Sequence, residues 1–161
     1  MRSTPMLSQM QRLSLEAEGR YATDEELKFI PEYLKTYELR LQTYRKLQEI
    51  EATVIKQAYD KVQAKDPATF RNGNVDLSAK CQRDALITWR YSATTLLIDD
   101  QETLRERYLL WYQTMTRACS RNGKSSVVYG MMQEVLKQYL TPSQSGLINP
   151  ILELIRRMLS V

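Results

Sequence analysis

Four consecutive residues, Cys81-Gln82-Arg83-Asp84, hold the densest chemistry in this 161-residue chain, and Trp89-Arg90-Tyr91 follows closely. On a helix, a spacing of three puts Cys81 and Asp84 on one face. Arg83 adds a forked cation beside them. A thiol, a carboxylate and a guanidinium together suit a ligand with an electrophilic carbon, N–H donors and acid groups. A linear tetrapyrrole has all three. The same tetrad also reads as a buried cysteine beside a surface arginine and aspartate, because buried thiols are common in helical cores.

The rest of the composition excludes more than it names. With 0 histidines and 2 cysteines, the chain holds no Ser-His-Asp triad, no Cys-His dyad and no His-bearing or four-cysteine zinc site. Cys81 and Cys119 are 38 positions apart, which makes neither a CxxC motif nor a disulfide framework and fits a reducing compartment. The opening MRSTPMLSQMQRL lacks a long apolar core, so no secretory signal is expected, and no apolar stretch approaches the ~20 residues that span a bilayer. Lys plus Arg exceeds Asp plus Glu by 23 to 19, and the whole +4 falls in residues 102–161, which carry 8 basic and 4 acidic side chains. Without a Lys/Arg run this charge is weak for nucleic acid, so no nucleic-acid partner is expected. It reads as a solvated basic face or as a patch for an acidic partner.

These residues sit on helices. Met6, Met10, Leu13 and Ala17 space a first helix over 4–18 that Gly19 ends. Thr23-Asp24-Glu25-Glu26 reads as a capping box for a second, which Pro31 should kink or break. Leu47, Ile50, Val54, Ala58 and Val62 stripe a long helix over 38–65. Residues 66–76 make a loop centred on Asn72-Gly73-Asn74. Further helices are expected over 77–97, over 102–119 with Leu104, Tyr108, Trp111, Met115 and Cys119 on one side, over 125–140 and over 151–160, with a loop from Pro142 to Pro150. Asn122-Gly123 reads as a turn and Asp99-Asp100 as a helix cap. No alternating strand pattern is evident, so the class is all-α, with more short helices than a four-helix bundle uses and a globin-like set of crossing helices instead.

The order of several short segments resembles the phycobiliprotein family, the globin-like bilin carriers of cyanobacterial and red-algal antennae. Glu18-Gly19-Arg20-Tyr21 with Glu26-Leu27 is similar to the junction of the family's N-terminal helical hairpin. Val54-Ile55-Lys56-Gln57-Ala58 is similar to its I-V-K-x-A segment. Cys81-Gln82-Arg83-Asp84 with Arg90-Tyr91 is similar to its C-x-R-D-x(5)-R-Y segment, and Asp100, Leu104, Glu106-Arg107 and Leu109 fall on its G-D-x(3)-L-x-E-R-x-L pattern.

The resemblance implies a single domain over 1–161, with 1–36 as the N-terminal helical hairpin for subunit pairing and 37–161 as the globin-like body. It implies a phycocyanobilin-like linear tetrapyrrole joined to Cys81 by a thioether. Asp84 would accept hydrogen bonds from the pyrrole N–H groups, and Arg83 would pair with a propionate. It implies an antenna component of phycobilisome type, not an enzyme. Its partners would be related phycobiliprotein subunits and linker or photosystem proteins, at the cytoplasmic (stromal) face of the thylakoid membrane. The chain departs from the family where two arginines usually precede the cysteine, at positions held here by Asp76 and Leu77, and Lys80 is the candidate substitute. It departs again at Thr114 to Asn122, where a tyrosine that borders the pigment is lost. These departures mark a divergent member. They keep a second reading open: a pigment-free helical interaction, assembly or regulatory protein of the photosynthetic apparatus. A stand-alone globin-like sensor is a third, and the missing histidine removes haem from it. Trp89, Trp111, Tyr108 and Tyr112 read as core or as pigment border, Tyr33, Tyr37 and Tyr44 as a partner-facing stripe, and Cys119 as a packing thiol.

Overall fold

Residues 5–118 and 124–160 are described by the computed structural model; Cys119 and the Asn122-Gly123 turn lie outside them. Helix α1 (Met6–Glu16) buries none of its residues fully. The chain then turns through Gly19, whose φ of +76° suits a residue without Cβ. Helix α2 (Asp24–Leu27) opens with the expected capping box: the Thr23 hydroxyl accepts from the Glu26 N–H, and the Glu26 carboxylate accepts from the Thr23 N–H.

Pro31 acts earlier than its own position. It lacks an N–H and its ring crowds the carbonyl four residues back, at Leu27. There α2 stops, and after Lys28 the helix restarts as α3 (Phe29–Lys65), with Pro31 tolerated in its first turn. Helix α3 has 37 residues, about 55 Å of rise. It runs unbroken across the expected 36/37 division between hairpin and body. Its buried stripe includes Leu47, Ile50, Val54, Ala58 and Val62, as the spacing predicts.

The 66–76 loop contains a two-stranded ribbon, β1 (Arg71–Asn72) with β2 (Val75–Asp76), paired antiparallel around Gly73 at φ +59°. Four paired residues leave the class all-α. Helix α4 (Ser78–Ile98) ends at Asp99, the one described non-glycine residue with positive φ. Asp100 then caps α5 (Gln101–Leu104), accepting from the Thr103 N–H at 3.0 Å. Next come a π-helical turn (Arg105–Leu109) and α6 (Leu110–Ala118). The chain resumes with α7 (Lys124–Leu136).

Pro142 to Pro150 is helix, not loop. Thr141 and Gln144 form a second capping box, Pro142 takes the first turn, and α8 (Pro142–Leu159) continues through Pro150. The carbonyl that Pro150 leaves without a donor belongs to Gly146, and both residues are exposed, so water can serve it.

Helix α3 packs on α4 and α7, and α8 closes against α7 and α4. The core between them holds Val54, Leu96, Leu109, Met132, Leu152 and Ile155, all fully buried. Trp89 belongs to it, its indole N–H donating to the Leu47 carbonyl at 3.2 Å. At one end, Arg40 of α3 pairs with Asp99 at 3.0 Å and donates to the Leu96 carbonyl at 2.7 Å, which locks α3 to the end of α4. Among the described residues, no helix is long and apolar enough to cross a membrane.

Candidate functional site

The π turn explains where the functional side chains lie. A plain α-helix would put Leu104, Tyr108, Trp111 and Met115 on one side. In the structure Leu104 and Tyr108 are buried, but Trp111 and Met115 are exposed and Tyr112 and Thr116 are buried instead. The π turn accommodates one extra residue, so the buried stripe advances by one position downstream of it. Trp111, 59% exposed, and Met115 thereby face outward beside Arg107.

Opposite them, α4 presents Lys80, Asp84, Ile87 and Tyr91. These are spaced by four, three and four and so share one helix face. The two walls enclose a cleft of about 420 Å³, lined by these four residues with Arg107, Tyr108, Trp111, Tyr112, Met115 and Thr116. Its inner surface is mostly aromatic and aliphatic, with polar groups at few points, as in small-molecule sites. The Tyr91 and Tyr108 rings stack at 4.3 Å, and Trp111 and Tyr112 lie 6.2 and 5.4 Å from Tyr108. The Tyr108 hydroxyl shares a 2.7 Å hydrogen bond with Thr88, whose hydroxyl also donates to the Asp84 carbonyl at 2.9 Å. Burial, and secondarily the nearby Asp84 charge, raise the Tyr108 pKa and keep it a neutral phenol.

The tetrad is split by this geometry. Asp84 is half-buried and lines the cleft with Lys80. Arg83 is exposed and is not among the lining residues. Cys81 is 4% exposed and points to the core side, beside a void of about 10 Å³ shared with Tyr59, Phe70, Val128 and Tyr129. One residue is 100° of helix rotation, and that separates the Cys81 thiol from the Lys80 wall. Tyr112 borders both spaces. The Tyr129 hydroxyl, fully buried, is the one such side-chain atom among the described residues without a hydrogen-bond partner, and burial pushes its pKa well above the ordinary phenol value.

The residues of the cleft fit a flat conjugated ligand with central N–H groups and peripheral acids. The rings of Tyr91, Tyr108 and Trp111 offer stacking surfaces. The Asp84 carboxylate can accept from N–H donors, and Lys80 and Arg107 can meet acids. Sequence reasoning found Asp84 and Lys80 but missed Arg107, Ile87 and Met115 as cleft residues. The signal for Arg107 was its place in the E-R pair, but its orientation depends on a π turn that spacing does not reveal. Among the described residues there is no group of three or more His, Cys, Asp or Glu that could hold a metal ion.

A model of the phycobilisome protein family matches residues 13–159. Among curated individual proteins nothing matches the chain. The family match spans both walls of the cleft and every helix from the end of α1 onward, and the all-α architecture is its globin-like fold. This chain belongs to the phycobilisome protein family.

Proposed function

We propose that the chain is a phycobilisome-type antenna component that holds a linear tetrapyrrole in the cleft between α4 and the π turn. The observation that carries this reading is the half-buried Asp84 carboxylate set in an aromatic cleft of about 420 Å³. When bound, such a pigment supplies absorption of visible light. Asp84 accepts from its pyrrole N–H groups and favours their protonated form, because an opposite charge stabilises the cation. Tyr91, Tyr108 and Trp111 hold the rings flat and extended, and Lys80 meets an acid group. Rigidity of this kind slows non-radiative decay. Turnover is no part of this role.

Attachment at Cys81 is the finer part of the proposal. The thiol lies packed against the core, so thioether formation requires it to turn past Tyr112 into the cleft. That same burial favours the second reading, a pigment-free interaction protein of the photosynthetic apparatus. In either case the docking face is the N-terminal region, where Met10, Leu15, Leu34 and Tyr37 are exposed. The partners would be related phycobiliprotein subunits and linker or photosystem proteins, at the cytoplasmic face of the thylakoid.

Co-expression with bilin-making enzymes separates these outcomes. A coloured protein whose red absorption is lost in Asp84→Ala supports pigment binding in the cleft. Zinc-enhanced fluorescence on a denaturing gel that disappears in Cys81→Ser supports the thioether. Colour stripped by denaturation places the pigment in the cleft without a bond. A colourless wild-type protein overturns the pigment reading in favour of the second one.

A further inference from the structure

Asp100 stands at the start of two helices at once. Its Oδ2 accepts the Ser8 N–H and the Ser8 hydroxyl, each at 2.8 Å, and its Oδ1 accepts the Thr103 N–H at 3.0 Å. Ser8 lies in the first turn of α1 and Thr103 in the first turn of α5, where an N–H has no partner within its own helix. One fully buried carboxylate therefore serves both helix starts. The same junction closes α4, because the Asp100 N–H donates to the Thr95 carbonyl at 3.2 Å. Asp99, beside it, has φ +52°, a left-handed conformation that a residue with a Cβ keeps only where its surroundings impose it. Both α1 and α3 contribute to that: the Met6 N–H donates to the Asp99 carbonyl at 3.2 Å, and Arg40 pairs with the Asp99 carboxylate at 3.0 Å.

We infer that α1 is a releasable strap that sets how rigidly the cleft walls are held, acting through the Asp99-Asp100 junction. Both walls meet there. Helix α4 runs into the junction, and α5, the π turn and α6 run out of it without a break over 101–118, carrying Arg107, Tyr108, Trp111 and Met115. With α1 docked, the Asp100 carboxylate has three donors and the bend at Asp99 is held by its carbonyl. With α1 released, Asp100 keeps the Thr103 N–H but loses both donors from Ser8, and Asp99 loses Met6. The start of α5, and the wall that follows from it, is then less firmly set against α4. Release is within reach because α1 buries none of its residues fully, and segments with few buried contacts open at lower free energy than a core. By linkage the coupling runs both ways: a ligand that fixes the walls tightens α1, and whatever draws α1 off the body loosens the walls. Ser8 and Asp100 are thus positioning residues for a cleft that neither of them lines. This holds for any ligand of the cleft and does not depend on a pigment.

The test uses NMR of the full chain labelled with nitrogen-15, whose 2 tryptophans give separate indole N–H signals. Trp111 reports the cleft wall, and Trp89, bonded to the Leu47 carbonyl, reports the core. Leu13→Asp puts a charge at a half-buried position of α1, away from the junction, and should release the helix. The expected result is lost amide protection over α1, a shifted Trp111 signal with Trp89 unmoved, and exchange about fivefold faster at Thr103 and over Arg105–Leu109, the scale of one hydrogen bond. Ser8→Ala, which removes one donor, should give a smaller change in the same direction, and Ser8→Thr, which keeps the hydroxyl, should give none. Val135→Ala, at a fully buried position of α7, controls for lost stability alone and should leave Trp111 in place. On an Asp100→Ala background, Leu13→Asp should add nothing at Trp111. Released α1 with unchanged exchange over 103–109 and an unmoved Trp111 overturns the inference. Helix α1 staying protected in Leu13→Asp overturns it too, since a strap must let go. An equal Trp111 shift with and without Asp100 overturns the role given to the junction. If Asp100→Ala does not fold, Ser8→Ala decides that point, and no change at Trp111 in that variant counts against the junction.

Discussion

The backbone N–H and the side-chain hydroxyl of Ser8 both donate to the same carboxylate oxygen of Asp100, each at 2.8 Å, across 92 residues of chain. The other oxygen of Asp100 accepts from the Thr103 N–H at 3.0 Å. Fully buried, this one carboxylate therefore caps α5 and tethers α1. A helix that buries none of its own residues fully is held to the body largely through polar contacts, including the Met6 N–H to the Asp99 carbonyl at 3.2 Å.

Asp100→Ala leaves three donors without their acceptor and should lower unfolding stability by about 2–4 kcal/mol in urea titration. Amide exchange should rise most in α1. If α1 protection is unchanged while global stability falls, Asp100 acts only as a cap and the tether is elsewhere.

Arg40 poses a different demand. Its guanidinium is buried, pairs with Asp99 at 3.0 Å, and donates to the Leu96 carbonyl at 2.7 Å and the Thr36 hydroxyl at 3.0 Å. Arg40→Ala takes the buried cation away from the Asp99 carboxylate and the Leu96 carbonyl, and a loss of about 3 kcal/mol is expected by chemical denaturation. The double variant Arg40→Met with Asp99→Asn removes both charges and should lose less than the single alanine.

Two half-buried carboxylates contribute to the acid response. Arg20 and the Thr23 backbone hold Glu26 down to a pKa of about 2, and Arg156 with Arg157 holds Glu153 to about 2. Both folded values lie below the ordinary carboxylate value of 4.5, so each contribution is complete above that pH and is lost as pH falls toward 2. Carbon-detected NMR of the two carboxyl groups should show midpoints near the low value. Midpoints near 4.5 would show that solvent and salt screen these pairs away.

Cys81 gives a kinetic readout. In a Cys119→Ser background, the native thiol at 4% exposure should react with a thiol reagent at least about tenfold more slowly than in urea. Equal rates would mean that the core around Tyr59 and Phe70 opens readily enough to present the thiol to the cleft.

Much of this was legible in the residues. The stripe from Leu47 to Val62 marked α3 because a 3.6-residue period has one reading when one face is apolar. Thr23 with Glu26 marked a helix start for the same local reason, and Thr141 with Gln144 carried that signal too. The proline at position 142 hid it, and Pro150 then passed for a boundary. A proline inside a helix removes one hydrogen bond and crowds the carbonyl four residues back; α8 continues through Pro150 where water can serve that carbonyl, and exposure is not written in local sequence. The candidate site was half legible. Spacing put Cys81 and Asp84 on one face, but a helix face is about 100° wide per residue, and packing sent the thiol to one side of the boundary and the carboxylate to the other. Arg107 was invisible as a site residue, and Trp111 read equally as core or as pigment border, because their direction follows from a helical irregularity that no residue type announces.

That irregularity has an evolutionary corollary. In most helices, loss of one residue is a catastrophe for everything downstream. Here, excision of one residue from Arg105–Leu109 would restore an ordinary α-helix and leave the downstream face in register, with Tyr112 seven positions after Leu104 and still inward, and Trp111 and Met115 still outward. The wall would keep its lining and Leu104 its place. The turn thus acts as a buffer that takes up the gain or loss of a single codon without disturbing the cavity downstream.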